Sequence, residues 1–155
     1  MLVVAACGSP SEQRSSQMKA LETSQFGLVV TTDKRSYEQD IPITVTTKLA
    51  VLDDGEGRVI NYMNPMMDYR FILVNETGQD VPLTKWGKIA QSARISRALL
   101  VLTRDEFLQD AFQLDFIYDL SKPGTYTLTL TKDPRSFPIP GLEVTGNIVT
   151  FSRLP

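Results

Sequence analysis

Hydrophobic residues recur at every second position along much of this chain, and that spacing predicts strands. Phe26, Leu28 and Val30 alternate with Gly27, Val29 and Thr31; Ile43, Val45, Thr47, Leu49 and Val51 alternate with Thr44, Thr46, Lys48 and Ala50. Successive strand side chains point to opposite faces, so one set faces a core and the other faces water. Residues 33–40 (DKRSYEQD) carry turn formers and read as a connection between these two strands. Residues 53–57 (DDGEG) predict a turn, residues 59–62 a short strand, and residues 61–67 a loop rich in methionine. The segment 69–74 (YRFILV) is apolar on both faces, which predicts a central strand. A hairpin turn at 75–78 (NETG) leads into a short return strand over 80–84. Residues 95–102 read as a further strand, with a helix as the other conformation their apolar run allows.

The last third repeats the pattern. Phe112, Leu114, Phe116 and Tyr118 alternate with Gln113, Asp115, Ile117 and Asp119. After the turn at 121–124 (SKPG), Tyr126, Leu128 and Leu130 alternate with Thr125, Thr127, Thr129 and Thr131, the β-branched type that strands favour. Prolines 134, 138 and 140 mark a loop over 133–141, because each removes a ladder donor. Residues 142–152 supply a final strand with a bulge at Gly146 and Asn147. One helical turn is expected over 103–109, where Asp105 and Glu106 sit at a helix start. Seven or eight short strands between turn signals predict an all-β fold, an antiparallel immunoglobulin-like Greek-key sandwich. Tyr126 opens a late strand and is placed to return its hydroxyl to upstream backbone as a tyrosine corner.

Residues 118–128 (YDLSKPGTYTL), with 34–37 (KRSY) and 41–45 (IPITV), resemble a group of bacterial immunoglobulin-like domains of secreted and envelope proteins. That resemblance implies the fold and a place outside the cytoplasm. Residues 68–71 (DYRF), then Gly78, Val81 and Trp86, are similar to the central hairpin of the intracellular proteinase inhibitor family. This second likeness implies inhibition of a serine protease.

Composition narrows the chemistry. The chain has 155 residues, 42% hydrophobic and 22% charged, which suits one globular domain with a tail. A net charge of -2 with scattered basic residues sets nucleic acid aside, because phosphate binding needs clustered Lys and Arg. Histidine is absent, and the only cysteine is Cys7. Within this chain there is therefore no serine–histidine triad, no cysteine–histidine dyad, no His-ligated zinc and no disulfide. Asp53, Asp54 and Glu56 lack the alternating register of a calcium loop, so no metal or cofactor is expected. Asp115 and Asp119 share a predicted outer face, the one carboxylate pair to weigh for acid–base work.

Residues 1–7 (MLVVAAC) match a bacterial lipobox, with small side chains before a cysteine that would carry diacylglycerol. The basic and longer apolar regions of a full signal peptide are missing, so residues 1–7 read as a truncated lipoprotein signal, or else as an accidental match at a short terminus with a free or buried thiol. Residues 8–24 read as a flexible linker and 25–155 as the sandwich. Trp86 between Lys85 and Lys88 reads first as a cover over one open end of the sandwich, since large aromatics are usually buried, with a platform for peptide or sugar as the other reading. Tyr62, Met63, Met66, Met67 and Tyr69 form a soft apolar cluster that reads first as core filling under a loop, and otherwise as a grip for a partner. The expectation is a non-catalytic module of the bacterial cell envelope, lipid-anchored at its periplasmic or extracellular face, or else secreted. It would bind a protein, peptide or glycan or serve a structural role; proteinase inhibition is the alternative.

Overall fold

The structure, a computed structural model, describes residues 26–93 and 96–155. Cys7 with the lipobox, the linker over 8–24 and Ile95 lie outside the described residues. Strand alternation shapes the rest. Ile43, Val45, Thr47, Leu49 and Val51 are all buried, and the last four lie on β3 (Thr44–Val51). β3 is the middle of one antiparallel sheet, flanked by β1 (Phe26–Thr32) and β7 (Phe107–Gln113). The second sheet runs β2 (Ser36–Tyr37), β10 (Val149–Arg153), β8 (Gly124–Lys132), β5 (Tyr69–Asn75), with β9 (Val144–Thr145) also on β8. β2 joins β10 in parallel, and the other pairs are antiparallel. Leu28, Val30, Val45 and Leu49 from the first sheet and Leu73, Leu128, Leu130 and Phe151 from the second belong to one core. A separate hairpin pairs β4 (Gly57–Asn61) with β6 (Ala98–Leu102). The chain is an immunoglobulin-like β-sandwich: β1, β3 and β7 take the places of strands A, B and E, and β5, β8 and β10 those of C, F and G.

Several expectations needed correction. The connection over 33–40 contains β2, held by Tyr37, whose hydroxyl donates to Asp33 at 2.6 Å and accepts from the Lys34 amide at 2.9 Å. β5 is the edge of its sheet rather than a central strand, and Ile72 on its outer face is exposed. The return segment over 80–84 makes isolated bridges at Asp80 and Leu83, not a strand. The helical turn expected over 103–109 is a tight turn leading into β7, because the Glu106 carboxylate accepts both the amide and the hydroxyl of Thr103. The alternation over 112–118 breaks instead. β7 ends at Gln113, and Leu114–Ile117 form a helical turn, α3, that buries Leu114 and Ile117 and exposes Phe116. Two more α-helical segments lie where none was expected, α1 (Pro65–Asp68), inside the methionine loop, and α2 (Lys85–Ser92), and a single 3-10 turn (Pro134–Ser136) lies in the proline loop.

The bulge at Gly146 and Asn147 joins the two sheets. Between the pairs Thr131–Thr145 and Leu128–Val149, residues 146–148 stand opposite residues 129–130, one extra on the bulged strand. The Asn147 side chain uses that slack to copy a strand. Its Oδ1 accepts from Val30 N and its Nδ2 donates to Val30 O, both at 2.8 Å. Gly146 makes the approach feasible, since a Cβ there would stand 2.6 Å from Val30 Cγ2. Asn147→Leu should therefore cost about 1–3 kcal/mol, the penalty for leaving partly buried backbone groups of Val30 unpaired. Urea denaturation checks this, and a change below about 0.5 kcal/mol, typical of inconsequential surface substitutions, would refute the stitching role.

Candidate functional site

The three helical segments gather beside the C-terminal end of β7, and α2 does so inside out. Thr84 caps it by accepting the Gly87 amide at 3.0 Å. The face turned inward carries Gly87 and Ala90, while Trp86 and Ile89, its largest apolar residues, are 49% and 57% exposed. Gly87 explains the inversion, because a Cβ there would lie 2.2 Å from the Ile117 carbonyl oxygen of α3. That carbonyl accepts the Thr84 amide at 2.9 Å, and the Thr84 hydroxyl donates to the Phe116 carbonyl. Phe116, 60% exposed, stands 6.5 Å from Trp86 between ring centroids. The two rings, with Pro65, Ala111, Phe112 and Ile117, line an apolar depression of about 340 Å³. A smaller hollow of about 190 Å³ adjoins it and is bordered by Met63, Asn64, Asp68 and Asp110. Met63 is exposed and has positive φ (55°), an uncommon backbone state outside glycine.

A buried polar network supports the floor. Asp68 Oδ1 accepts Lys132 Nζ at 2.9 Å, and both side chains are almost wholly out of water. The same carboxylate accepts the amides of Tyr62 (2.9 Å) and Asn64 (3.2 Å), so it closes the loop that enters α1. Asn64 accepts from Met66 N and donates to the Ala90 carbonyl at 2.9 Å, which ties α1 to α2. The Lys132 ammonium also lies over the Tyr69 ring, 4.7 Å from its centroid. Tyr69 donates to Asp110 at 2.8 Å and meets the Thr47 hydroxyl at 2.7 Å. Burial, and then the Asp110 charge, push the Tyr69 phenol far above its ordinary value, so it stays a donor. Both carboxylates at the smaller hollow are thus committed to protein groups.

The structure sorts the residues singled out in the sequence. Trp86 stands half exposed on α2, with Lys85 and Lys88 exposed beside it. Neither lysine has an ion-pair partner among the described residues. Of the methionine loop, Met63 reaches the smaller hollow, whereas Met66 packs against the core, and neither Tyr62, Met66 nor Met67 lines the depression. Tyr126 is remote from this face. Its hydroxyl donates to the Lys122 carbonyl at 2.6 Å, the geometry of a tyrosine corner, and its ring stacks on Phe151. Asp115 and Asp119 do not converge. Asp115 accepts the Ile43 amide at 2.9 Å; Asp119 accepts from the Ser121 hydroxyl and amide, which hold its carboxyl below the usual range. Asp54 pairs with Arg104, and among the described residues no group of three acids, histidines or cysteines is placed to hold a metal.

No family profile and no curated protein sequence matches the chain. Among solved structures, it is similar to a β-glucosidase from Listeria innocua in complex with glucose, with TM-score 0.44 and 11% identity over 86% of this chain. A β-glucosidase from Erythrobacter marinus gives TM-score 0.43 and 12% identity over 84% of this chain. The chain spans 16% of the length of each of these enzymes. A chain of the complex between zinc 2-glycoprotein and prolactin inducible protein from human seminal plasma gives TM-score 0.40 and 8% identity, over 85% of this chain and 97% of that one.

The network yields one prediction, and two buried tyrosines outside it yield another. Lys132→Met strands a buried carboxylate and should cost about 3–5 kcal/mol, whereas the pair Lys132→Met with Asp68→Asn should recover much of that loss. Equal loss in both, measured by urea denaturation, would contradict the pairing. The second concerns alkaline pH. Burial, aided by the Asp33 hydrogen bond, pushes Tyr37 up to about 12, and burial, aided by the Asp80 charge, does the same for Tyr118. Their folded-state values lie above the ordinary 10.0, so between the two the native state keeps protons that the unfolded chain releases. The stability they contribute is full below about pH 10 and is lost as pH rises toward 12. Phenolate absorbance followed with circular dichroism should show these tyrosines ionising together with unfolding.

Proposed function

We propose that this chain is a non-catalytic binding module of the bacterial cell envelope, tethered by a lipid on Cys7, which docks a protein or peptide on the Trp86–Phe116 face. One observation carries the reading: a capped helix buries glycine and alanine and turns its tryptophan and isoleucine to solvent beside an exposed phenylalanine. Covering a large apolar side chain is worth about 1.5–3 kcal/mol, so a folded chain gains nothing by this arrangement unless something else covers it. The apolar lining favours a protein or peptide over a glycan, which needs polar groups around its ring. Lipid attachment would put this face in the periplasm or at the exterior, as expected for a lipoprotein.

The test uses the full chain in its native cell, with a photo-cross-linking amino acid in place of Ile89. A discrete adduct is expected. Trp86→Ala or Phe116→Ala should reduce it about tenfold, equivalent to ~1.4 kcal/mol. Because both side chains are half exposed, either substitution should change urea stability by less than about 1 kcal/mol. No adduct, or one indifferent to both rings, would reject the docking face. In the same cells, Cys7→Ser should abolish acyl labelling and membrane association; a wild-type chain that takes no label would reject the anchor.

A further inference from the structure

The hydrogen-bonding pattern of β7 deepens that reading. The Leu114 amide donates to the Ile43 carbonyl at 2.8 Å, and residues 43 and 114 continue the register that pairs Thr44 with Gln113. In an antiparallel ladder, bonded pairs alternate with unbonded ones. The bonded pairs along β7 are therefore Phe112–Val45, Asp110–Thr47 and Leu108–Leu49. The amides of Phe107, Gln109, Ala111 and Gln113 point the other way, toward the open edge of the sheet. No second strand pairs with β7 among the described residues.

The other long edges of the two main sheets are met in part. Asn147 occupies the edge of β1 at Val30. Residues 79–81 run along β5, where the Val81 amide donates to Leu73 O at 3.0 Å and the Asn75 amide to Gln79 O at 2.9 Å. β2, at the far end of its sheet, is two residues long. β7 is seven residues long, and its outward positions, Phe107, Gln109, Ala111 and Gln113, contain no charge and no proline, the usual protections of an edge. Its C-terminal half runs straight into the apolar depression, which Ala111, Phe112 and Gln113 help to line.

We infer that this face takes an extended peptide segment, acidic and apolar in alternation, that adds as a strand to the free edge of β7. The inference rests on the docking reading above and specifies its ligand. Strand pairing supplies main-chain bonds, and alternate side chains read the surface beside it. One side chain of the segment would enter the depression between Trp86 and Phe116. Charge complementarity sets its acidic residues. Asp68 is neutralised by Lys132; Asp110 and Asp115 keep their charge but are turned to the Tyr69 hydroxyl and the Ile43 amide, whereas the Lys85 and Lys88 ammoniums of α2 have no ion-pair partner among the described residues, so the acidic side chains of the segment belong at the α2 end.

The probe is a synthetic octapeptide alternating glutamate with phenylalanine and valine, titrated into the full chain. Trp86 is the only tryptophan, so its emission reports on this face directly. Saturable binding is expected, with exchange of the Gln109, Ala111 and Gln113 amides slowed about tenfold or more and that of Leu108, Asp110 and Phe112 unchanged. N-methylating alternate amides of the peptide, or replacing its glutamates with lysine, should weaken binding at least about tenfold, equivalent to ~1.4 kcal/mol. Ala111→Pro removes one outward amide while sparing the β3 ladder, which an edge strand tolerates, and should have the same effect. Lys85→Glu with Lys88→Glu, both exposed, is a second variant and should reverse the charge preference.

Binding that shifts Trp86 emission yet spares the amides and ignores N-methylation overturns strand addition and leaves the docking reading standing. No peptide response alongside a cross-linked adduct at position 89 likewise overturns only the inference. With neither response nor adduct, both fall. Amides already protected without peptide, in a chain that sediments as a dimer, would assign the edge to a second copy and overturn the peptide.

Discussion

The peptide group of Ile43 decides what this sandwich carries on its helical face. Its carbonyl accepts the Leu114 amide, the last bond of the β3–β7 ladder, but its amide is met by the Asp115 carboxylate instead of another backbone carbonyl. A side chain thus ends the ladder without orphaning a buried donor, whose penalty would be about 1–3 kcal/mol. The chain is then free to coil into α3, burying Leu114 and Ile117 and turning Phe116 outward. The Ile117 carbonyl in turn receives the Thr84 amide, and α2 is set against it through Gly87. Strand termination, helix placement and the exposed aromatic pair are steps of one hydrogen-bonding account.

The buried ion pair of Asp68 and Lys132 has a different job. Pairing charges out of water costs several kcal/mol per ion in desolvation, so such a pair is weak evidence for net stability. What it fixes is geometry. Asp68 collects two amides of the preceding loop as well as the ammonium, and Asn64 carries the constraint on to Ala90 of α2. Apolar residues of equal volume would fill the space without holding that loop against β8. Arg153 works in the same way at the other end of the second sheet, its guanidinium donating to the carbonyls of Leu120, Glu38 and Ile41.

The strands that alternate cleanly were legible because burial on one face leaves a period of two: β1, β3 and β8 lie where the pattern put them. The bulge and the tyrosine corner were legible from turn chemistry at Gly146, Asn147 and the SKPG turn. Two of the failures share one cause, local pattern overridden by distant partners. The YRFILV run looks central, yet β5 is an edge, met by residues 79–81 only at Leu73 and Asn75. The alternation through Phe116 looks like strand, but Asp115 reaches Ile43, a residue 72 positions away. At the site, Trp86, Lys85 and Lys88 were visible, whereas Phe116 and Ile89 were not. Thr84 as an N-cap was the available signal for α2, but Gly87 disguised it, because glycine weakens a helix and its reason for being there is a carbonyl 30 residues on.

A groove made by loops would have to be ordered each time it is filled. Here the backbone that carries Trp86 begins at Thr84, and that which carries Phe116 runs into Ile117; these two backbones are joined by the Thr84 amide and hydroxyl. The spacing of the backbones that carry the two rings is therefore set before any ligand arrives, and the Asn64 bond to Ala90 ties α1 to α2 on the other side. Ordering a rotamer-rich side chain on binding costs about 0.5–1.5 kcal/mol, a cost that rigid walls reduce. Residues that look expensive within the fold, a glycine in a helix and two aromatics in water, are then consistent with each other. They leave a preformed hollow at the seven-residue edge of β7, which no other strand pairs among the described residues.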